Sequence, residues 1–194
     1  DYERACVEQH RALWRRSIPC DAVEQGMELE GYRLVLAPWL YMVKPGMAPR
    51  LERFVEAGGC LVLTFLSGHV DERGLCFEGG FPGPLRRLAG VWAEELDTPW
   101  PGQANRALPS PAAESALPGA LSGEYRIDSF CELVHPLPGE NTETLAVYGD
   151  DWYAGMPVLT RRRRGKGSVY YIAARVEQRF TDDLVAALAR ELGL

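Results

Sequence analysis

The chain has 194 residues, of which 46% are hydrophobic and 25% are charged, a composition typical of a globular protein that buries its own core. Its formal net charge of -6 at pH 7 disfavours a nucleic-acid partner, because an acidic molecule repels a polyanion. Five cysteines without Cys-x-x-Cys spacing, and no apolar run near the roughly 20 residues of a membrane span, favour a cytoplasmic protein without a metal, a cofactor or a membrane partner.

The first segment of the chain is predicted to be a helix. Residues 2–16 are rich in helix formers and contain neither glycine nor proline, and Pro19 ends the pattern. A short strand over residues 20–23 is expected to follow. Because the sequence starts at Asp1 without a methionine and enters this helix at once, we expect it to be part of a longer polypeptide.

A strand, a helix and a second strand follow within about 35 residues. Residues 32–38 and 60–66 are apolar on both faces, which suits parallel strands that are covered on both sides. Between them, Met47, Leu51, Phe54 and Val55 repeat at helical spacing. This order predicts a right-handed βαβ unit in a parallel sheet.

The second half of the chain begins with a change of amino-acid composition. Residues 97–123 contain five prolines among alanine, serine and glycine, and we expect an irregular insertion within a single domain. Strands are predicted over residues 124–134 and 144–148. Thr181, with the two aspartates that follow it, should cap a final helix.

Four consecutive arginines, residues 161–164, precede Gly165-Lys166-Gly167 and would be flagged in a search for phosphate or nucleic-acid binding. The glycine spacing fits neither a dinucleotide fingerprint nor a P-loop, since a strand follows where a helix should begin. The sequence instead predicts a hairpin of residues 157–164 and 168–173. Because side chains alternate along a strand, the first and third arginines should point to one face and the other two to the opposite face.

Candidate catalytic residues are few. Ser67 lies after a predicted strand, but a turn follows it rather than a helix that could hold an oxyanion. Cys60 opens a buried strand, where a small core residue is expected. The three histidines, His10, His69 and His135, share no metal-ligand spacing.

Four blocks of the sequence, taken in order, carry a family resemblance. They are GYRLVLAPWLYMV (31–43), FVEAGGCLVLTFLSGHVDERG (54–74), GGFPGPLRRLAGV (79–91) and DDWYAGMPVLTRRRRGKGSVYYIA (150–173). Together they resemble the middle, trimerisation domain of glycoside hydrolase family 42 β-galactosidases. The resemblance covers most of the chain and weakens across residues 97–123.

The resemblance implies an α/β fold over residues 1–194. This is a three-layer, flavodoxin-like arrangement related to class I glutamine amidotransferases, with a mostly parallel sheet, helices on both faces and a C-terminal β-hairpin. In the family this domain follows a TIM barrel that carries both catalytic glutamates, and it precedes a small β domain. The resemblance implies a non-catalytic role for this chain, which is to assemble a homotrimer and to close a neighbour's active-site funnel. The enzyme as a whole is expected to hydrolyse terminal β-D-galactosides in carbohydrate metabolism.

The sequence departs from the family at two places. The family's domain opens with a strand before its first helix, and that strand is missing or lies before Asp1. The family usually has a small or aliphatic residue where Trp39 stands and a residue other than histidine at His69. Both positions follow predicted strands, so they should alter the crevice at the strand ends.

Aromatic residues on predicted loops are the candidates for an interface or for lining the funnel, because interfaces are enriched in aromatic side chains. The candidates are Trp39, Tyr41, Phe77, Phe81, Trp152 and Tyr153. We expect the 79–83 loop and the Trp152–Tyr153 turn to face other protein. The alternative function is that of a free-standing amidotransferase-like or hydrolase-like enzyme that uses Ser67 or Cys60.

Overall fold

The computed structural model describes residues 2–194 and forms a nine-stranded mixed sheet with helices on both faces. Asp1 lies outside the described residues. The helices are α1 (Tyr2–Trp14), α2 (Met47–Glu56), α3 (Arg86–Ala89), α4 (Pro111–Ala116) and α5 (Gln178–Leu192). The strands are β1 (Leu34–Ala37), β2 (Cys60–Thr64), β3 (Val91–Asp97), β4 (Asn105–Pro109), β5 (Tyr125–Pro136), β6 (Thr142–Tyr148), β7 (Pro157–Arg164), β8 (Gly167–Ile172) and β9 (Ala174–Val176).

The predicted βαβ unit is confirmed. Strands β1 and β2 pair in parallel, with Leu34 opposite Cys60, and α2 connects them. The four apolar residues at helical spacing in α2 are the ones it buries. Gly58 follows the helix with a φ of 121°, a left-handed conformation that glycine adopts without a Cβ clash.

The sheet changes character at β8. This strand pairs in parallel with β2 and antiparallel with β7, and the order continues through β6, β4 and β5 to β3. Among the described strands there are two parallel pairings and six antiparallel ones. The α/β class is therefore confirmed, whereas the mostly parallel sheet is not, because short connections and hairpins impose antiparallel pairing.

Two cores lie on opposite faces of the sheet. One packs α4 and α5 against the sheet around Tyr125, Tyr148 and Phe180, and α1 lies beside α5 on this face. The other packs α2 and α3 around Leu63 and Tyr171. The three-layer arrangement with helices on both faces is thus as predicted. None of the helices described over residues 2–194 has the length and apolarity to cross a membrane.

Three local predictions were wrong. Residues 97–123 are not wholly irregular: β4 lies between β5 and β6, and α4 begins with Pro111 at its first position, where no amide hydrogen is needed. Residues 20–23 form an exposed coil, since no described strand pairs with them. Helix α5 starts at Gln178, three residues before the predicted cap at Thr181.

The β7–β8 hairpin is confirmed, and its glycines allow close backbone contact with the end of α2. A Cβ added at Gly167 would lie 2.2 Å from the Gly59 carbonyl oxygen and 2.4 Å from that of Val55. Lys166 N–H donates to the carbonyl of Glu56 at 3.1 Å. The Gly-Lys-Gly turn therefore serves packing between the hairpin and α2.

The arginines divide between the two faces, as predicted. Buried Arg161 donates twice to Glu143, at 2.6 and 2.8 Å, and once to the carbonyl of Ala116 at the end of α4. On the opposite face, buried Arg162 forms an ion pair with Glu140. Arg164, on the same face as Arg162, contacts Glu52 and Glu56 of α2, and Arg163 is exposed. Three of the four guanidinium groups are thus engaged within the domain, so the run is not a basic binding surface.

Replacing Arg161 by alanine should destabilise the fold, because Glu143 loses its partner and the buried stem of the arginine leaves a space. We expect the free energy of unfolding in urea to fall by roughly 1–3 kcal/mol. Arg163→Ala on the same strand is the control and should change it by about 0.5 kcal/mol or less. Equal losses for the two variants would contradict the assignment of Arg161 as a buried, paired side chain and of Arg163 as an exposed one.

Candidate functional site

Loops from both halves of the sheet meet at one end of it. The carboxyl ends of β1, β2 and β8 lie there because these strands are parallel. The antiparallel returns bring the end of β6 and the start of β4 to the same end, where Gly149 N–H donates to the carbonyl of Arg106 at 2.8 Å. We call this end the carboxyl rim; it comprises residues 38–42, 65–70, 79–83, 98–104 and 149–156.

Trp39 belongs to an aromatic cluster at the carboxyl rim. Its ring lies 5.5 Å from that of Phe65 and 5.3 Å from that of Phe130, and its backbone N–H donates to Thr64 Oγ1 at 2.7 Å. Trp39, Leu66 and Phe130 all have positive φ, between 39° and 59°, a strained conformation for residues other than glycine. Trp39 is half-buried and caps the strand ends rather than standing free on a loop.

A second aromatic cluster brings together side chains from three loops: Tyr41, His69 and Phe81. His69 stacks on Phe81 at 3.9 Å between ring centroids and on Tyr41 at 5.3 Å. Burial lowers the pKa of His69, which favours the neutral ring. Phe77 N–H donates to the His69 carbonyl at 3.0 Å, and the Phe77 ring is half-buried. Of these residues Tyr41 is the exposed one, with 44% of its surface accessible.

The Trp152–Tyr153 turn presents one ring outward and one inward. Tyr153 is buried, and its hydroxyl donates to Asp97 Oδ2 at 2.7 Å, so its side chain is unsuited to direct contact with a partner. Trp152 is 70% exposed. Sequence reasoning missed Trp100, which is 76% exposed in the segment expected to be irregular.

Glu132 is a buried acid that sequence reasoning also missed. Its Oε1 accepts the N–H of strained Leu66 at 3.3 Å, and its Oε2 accepts the hydroxyl of Tyr171 at 2.6 Å. Burial raises the pKa of the Glu132 carboxyl to about 7, against the smaller opposing effect of these two donors. Glu132 lies within a strand in which polar and apolar residues alternate, where a charged side chain is expected to face outward. No local pattern therefore indicated that it is buried.

Comparisons with known proteins match the chain over its whole length. Residues 1–194 match the model of the "Beta-galactosidase trimerisation domain". The chain belongs to this domain family of glycoside hydrolase family 42. It is 50% identical over 193 residues to the β-galactosidase BglY of Alicyclobacillus acidocaldarius, and 44% identical to the β-galactosidase Pbg of Clostridium perfringens.

Solved structures show the same fold. The β-galactosidase of Bacillus circulans sp. alkalophilus is 40% identical, with a TM-score of 0.93, and that of Rahnella sp. R3 is 44% identical, with a TM-score of 0.92. All of this chain is covered in each comparison. It spans 28% and 27% of those two chains and 27% of the two curated relatives above.

The residues of the alternative enzyme are not arranged for nucleophilic catalysis in this trimerisation domain. Ser67 is fully buried, and its hydroxyl donates to the carbonyl of Thr64 at 2.6 Å. His69 approaches the Ser67 carbonyl oxygen rather than its hydroxyl. Cys60 is buried at the amino end of β2, where burial raises the pKa of its thiol to about 12. A protonated, inaccessible thiol is a poor nucleophile.

Glu132 should make stability fall as pH rises. Its folded-state pKa of about 7 lies above the ordinary 4.5, so the folded protein binds the proton more tightly than the unfolded chain. Relative to Glu132→Gln, the wild type should lose about 2–3 kcal/mol of unfolding free energy between pH 5 and pH 8.5. Urea unfolding of both proteins at the two pH values measures this difference, and a constant difference would contradict it. Exposed Glu72→Gln is the control.

Proposed function

We propose that the chain is the non-catalytic assembly domain of a cytoplasmic β-galactosidase. It joins three subunits and closes the active-site funnel of a neighbour, while a TIM-barrel domain elsewhere in the polypeptide hydrolyses terminal β-D-galactosides. The observation that carries the proposal is the family match over all 194 residues. The share of 27% of the relatives' length leaves room for a barrel, which needs about 250 residues.

The surface that we assign to assembly surrounds the His69–Phe81 stack. Tyr41 is exposed on this surface. Val70 N–H donates to the Tyr41 carbonyl at 3.1 Å, which holds the segment after His69 beside Tyr41. Leu75, 62% exposed, follows on the turn that brings Cys76 back beside Val70. We call Tyr41, Met42, His69, Leu75 and Phe81 the Tyr41 face.

The chemistry of the Tyr41 face suits contact with protein. Its five side chains are apolar or aromatic, and the lowered pKa of His69 favours an uncharged ring. The centres of protein interfaces are depleted in charge and enriched in aromatic residues and methionine. A threefold assembly uses heterologous contacts, in which this face meets a different patch of the next subunit. The predicted role of the 79–83 loop is part of this proposal, through Phe81.

The double substitution Tyr41→Ser and Leu75→Ser should weaken assembly of the full-length enzyme, because it removes two exposed apolar side chains without touching either core. We expect the trimer to dissociate at protein concentrations at least tenfold higher than for the wild type. Because the dissociation constant of a trimer scales with the square of the concentration, this shift corresponds to about 2.7 kcal/mol per trimer. Light scattering over a dilution series measures the molar mass of the enzyme at each concentration and so the concentration at which the trimer dissociates.

The matched control for that experiment is Tyr2→Ser on α1, whose side chain is 59% exposed on the opposite side of the sheet from α2. It should leave the dissociation unchanged. An unchanged trimer in the double variant would reject the Tyr41 face as the interface. A wild-type mass other than a trimer would reject the assembly role itself.

A further inference from the structure

The two most exposed aromatic residues of the carboxyl rim are held by loops that are hydrogen-bonded to each other. Trp152 lies beside Tyr153, whose hydroxyl binds Asp97, and Trp100 follows Asp97 by three residues. On the other side of the turn, Asn105 Nδ2 donates to the Asp150 carbonyl at 2.8 Å. These bonds hold the two residues that flank loop 98–104, Asp97 and Asn105, to loop 149–156.

Several hydrogen bonds and one buried ring hold the Trp152 turn, although its indole is exposed. Arg106 binds both carboxylate oxygens of Asp150, at 2.8 and 2.9 Å, and the backbone N–H of Trp152 donates to Asp151 Oδ1 at 2.7 Å. Tyr153 anchors the turn in the core, where its ring meets that of Tyr148 at 5.0 Å. A large flat ring on a fixed turn loses little conformational entropy when a ligand covers it.

The charges around Trp152 distinguish this part of the rim from the Tyr41 face. Loop 149–156 carries Asp150 and Asp151, and Asp97 ends β3 beside it. In the described part of the chain, the one guanidinium in contact with these carboxylates is that of Arg106 in β4, which also pairs with Glu124. Carboxylates are depleted at the centres of protein interfaces, so a protein partner is disfavoured here. The acidic surroundings also repel phosphate-bearing ligands. A neutral ligand with an apolar face and hydroxyl donors suits both features.

A pyranose ring has this chemistry. One of its faces presents C–H groups that can cover an indole, and its hydroxyls can donate to carboxylate oxygens. Asp151 is exposed, and within residues 2–194 only its Oδ1 accepts a hydrogen bond, so Oδ2 is available to a hydroxyl. Ring stacking combined with a few polar groups is the usual composition of a small-molecule site.

We propose that Trp152, with Asp151 beside it, is a stacking site for a pyranose ring of a neutral oligosaccharide. The inference rests on the proposed function, because the site would lie where the domain closes a neighbour's funnel. There it would hold a sugar unit of the substrate beyond the bond that is cleaved. Trp152 would act in specificity for longer substrates and not in the cleavage step.

The test compares substrates of two lengths in the full-length enzyme, para-nitrophenyl β-D-galactoside and β-1,4-galactotetraose. Trp152→Ala should raise KM for the tetraose about tenfold and leave KM for the aryl galactoside unchanged. Trp152→Phe, which keeps an aromatic face, should restore most of the affinity for the tetraose. Trp14→Ala on α1, where the indole is 71% exposed, is the matched control and should change neither constant.

Light scattering of the same proteins separates this inference from the proposed function. A trimeric Trp152→Ala variant with the selective KM change supports both. A trimeric variant with unchanged or equally changed constants overturns the sugar site alone. Loss of the trimer in Trp152→Ala also overturns the sugar site, since it makes the indole an assembly contact, whereas a wild type that is not trimeric overturns both proposals.

Discussion

The pairing of β8 is the constraint on which the rest of the structure depends. This strand has β2 in parallel on one side and β7 antiparallel on the other, and its consecutive tyrosines enter opposite cores. Tyr170 packs on the face of α5, and Tyr171 packs on the face of α2. The start of β8 can approach the end of α2 because Gly167 has no Cβ. One strand therefore fixes both layers of helices against the sheet.

The change from parallel to antiparallel pairing at β8 also places the site. In a wholly parallel sheet, the connections at the carboxyl end all lead into crossover helices. Here the antiparallel strands return to that end, so the loop after β6 and the loop before β4 join the loops after β1 and β2. The carboxyl rim therefore contains loops from the parallel part and from the antiparallel part of the sheet.

The parts of the fold that the sequence predicts are those with local signals. The βαβ unit and the β7–β8 hairpin have periodic apolar patterns and glycine turns within a few residues of each other. Strand β4 lacks such a signal, since Ala107 pairs with Tyr125 and Tyr148, which lie far along the chain. Its flanking prolines resemble breaks in structure, although Pro109 ends the strand and Pro111 begins a helix.

The sequence predicts residue types and a location for the candidate site, and both stay predictions; it does not predict the direction of each side chain. Loop position alone made Trp39 and Tyr153 resemble Trp152. A strained backbone turns Trp39 onto Phe130, and a hydrogen bond to a residue 56 positions away turns Tyr153 inward. Both causes are tertiary contacts, which no local pattern encodes. Charge then separates the Tyr41 face, which is neutral and apolar, from the acidic Trp152 turn.

Glu132 is a buried acid that lowers stability near neutral pH and also pairs two buried donors at this rim. Ionisation of its buried carboxyl costs stability near neutral pH, because burial raises its pKa. An apolar residue in its place would leave the Leu66 N–H and the Tyr171 hydroxyl without their acceptor, and each buried, unpaired donor costs about 1–3 kcal/mol. The two losses together, about 2–6 kcal/mol, are of the same order as the roughly 3 kcal/mol by which a pKa of about 7 disfavours the ionised carboxyl. Glu132 therefore holds the strained end of β2 to β8 by accepting hydrogen bonds from both, which an apolar residue could not do.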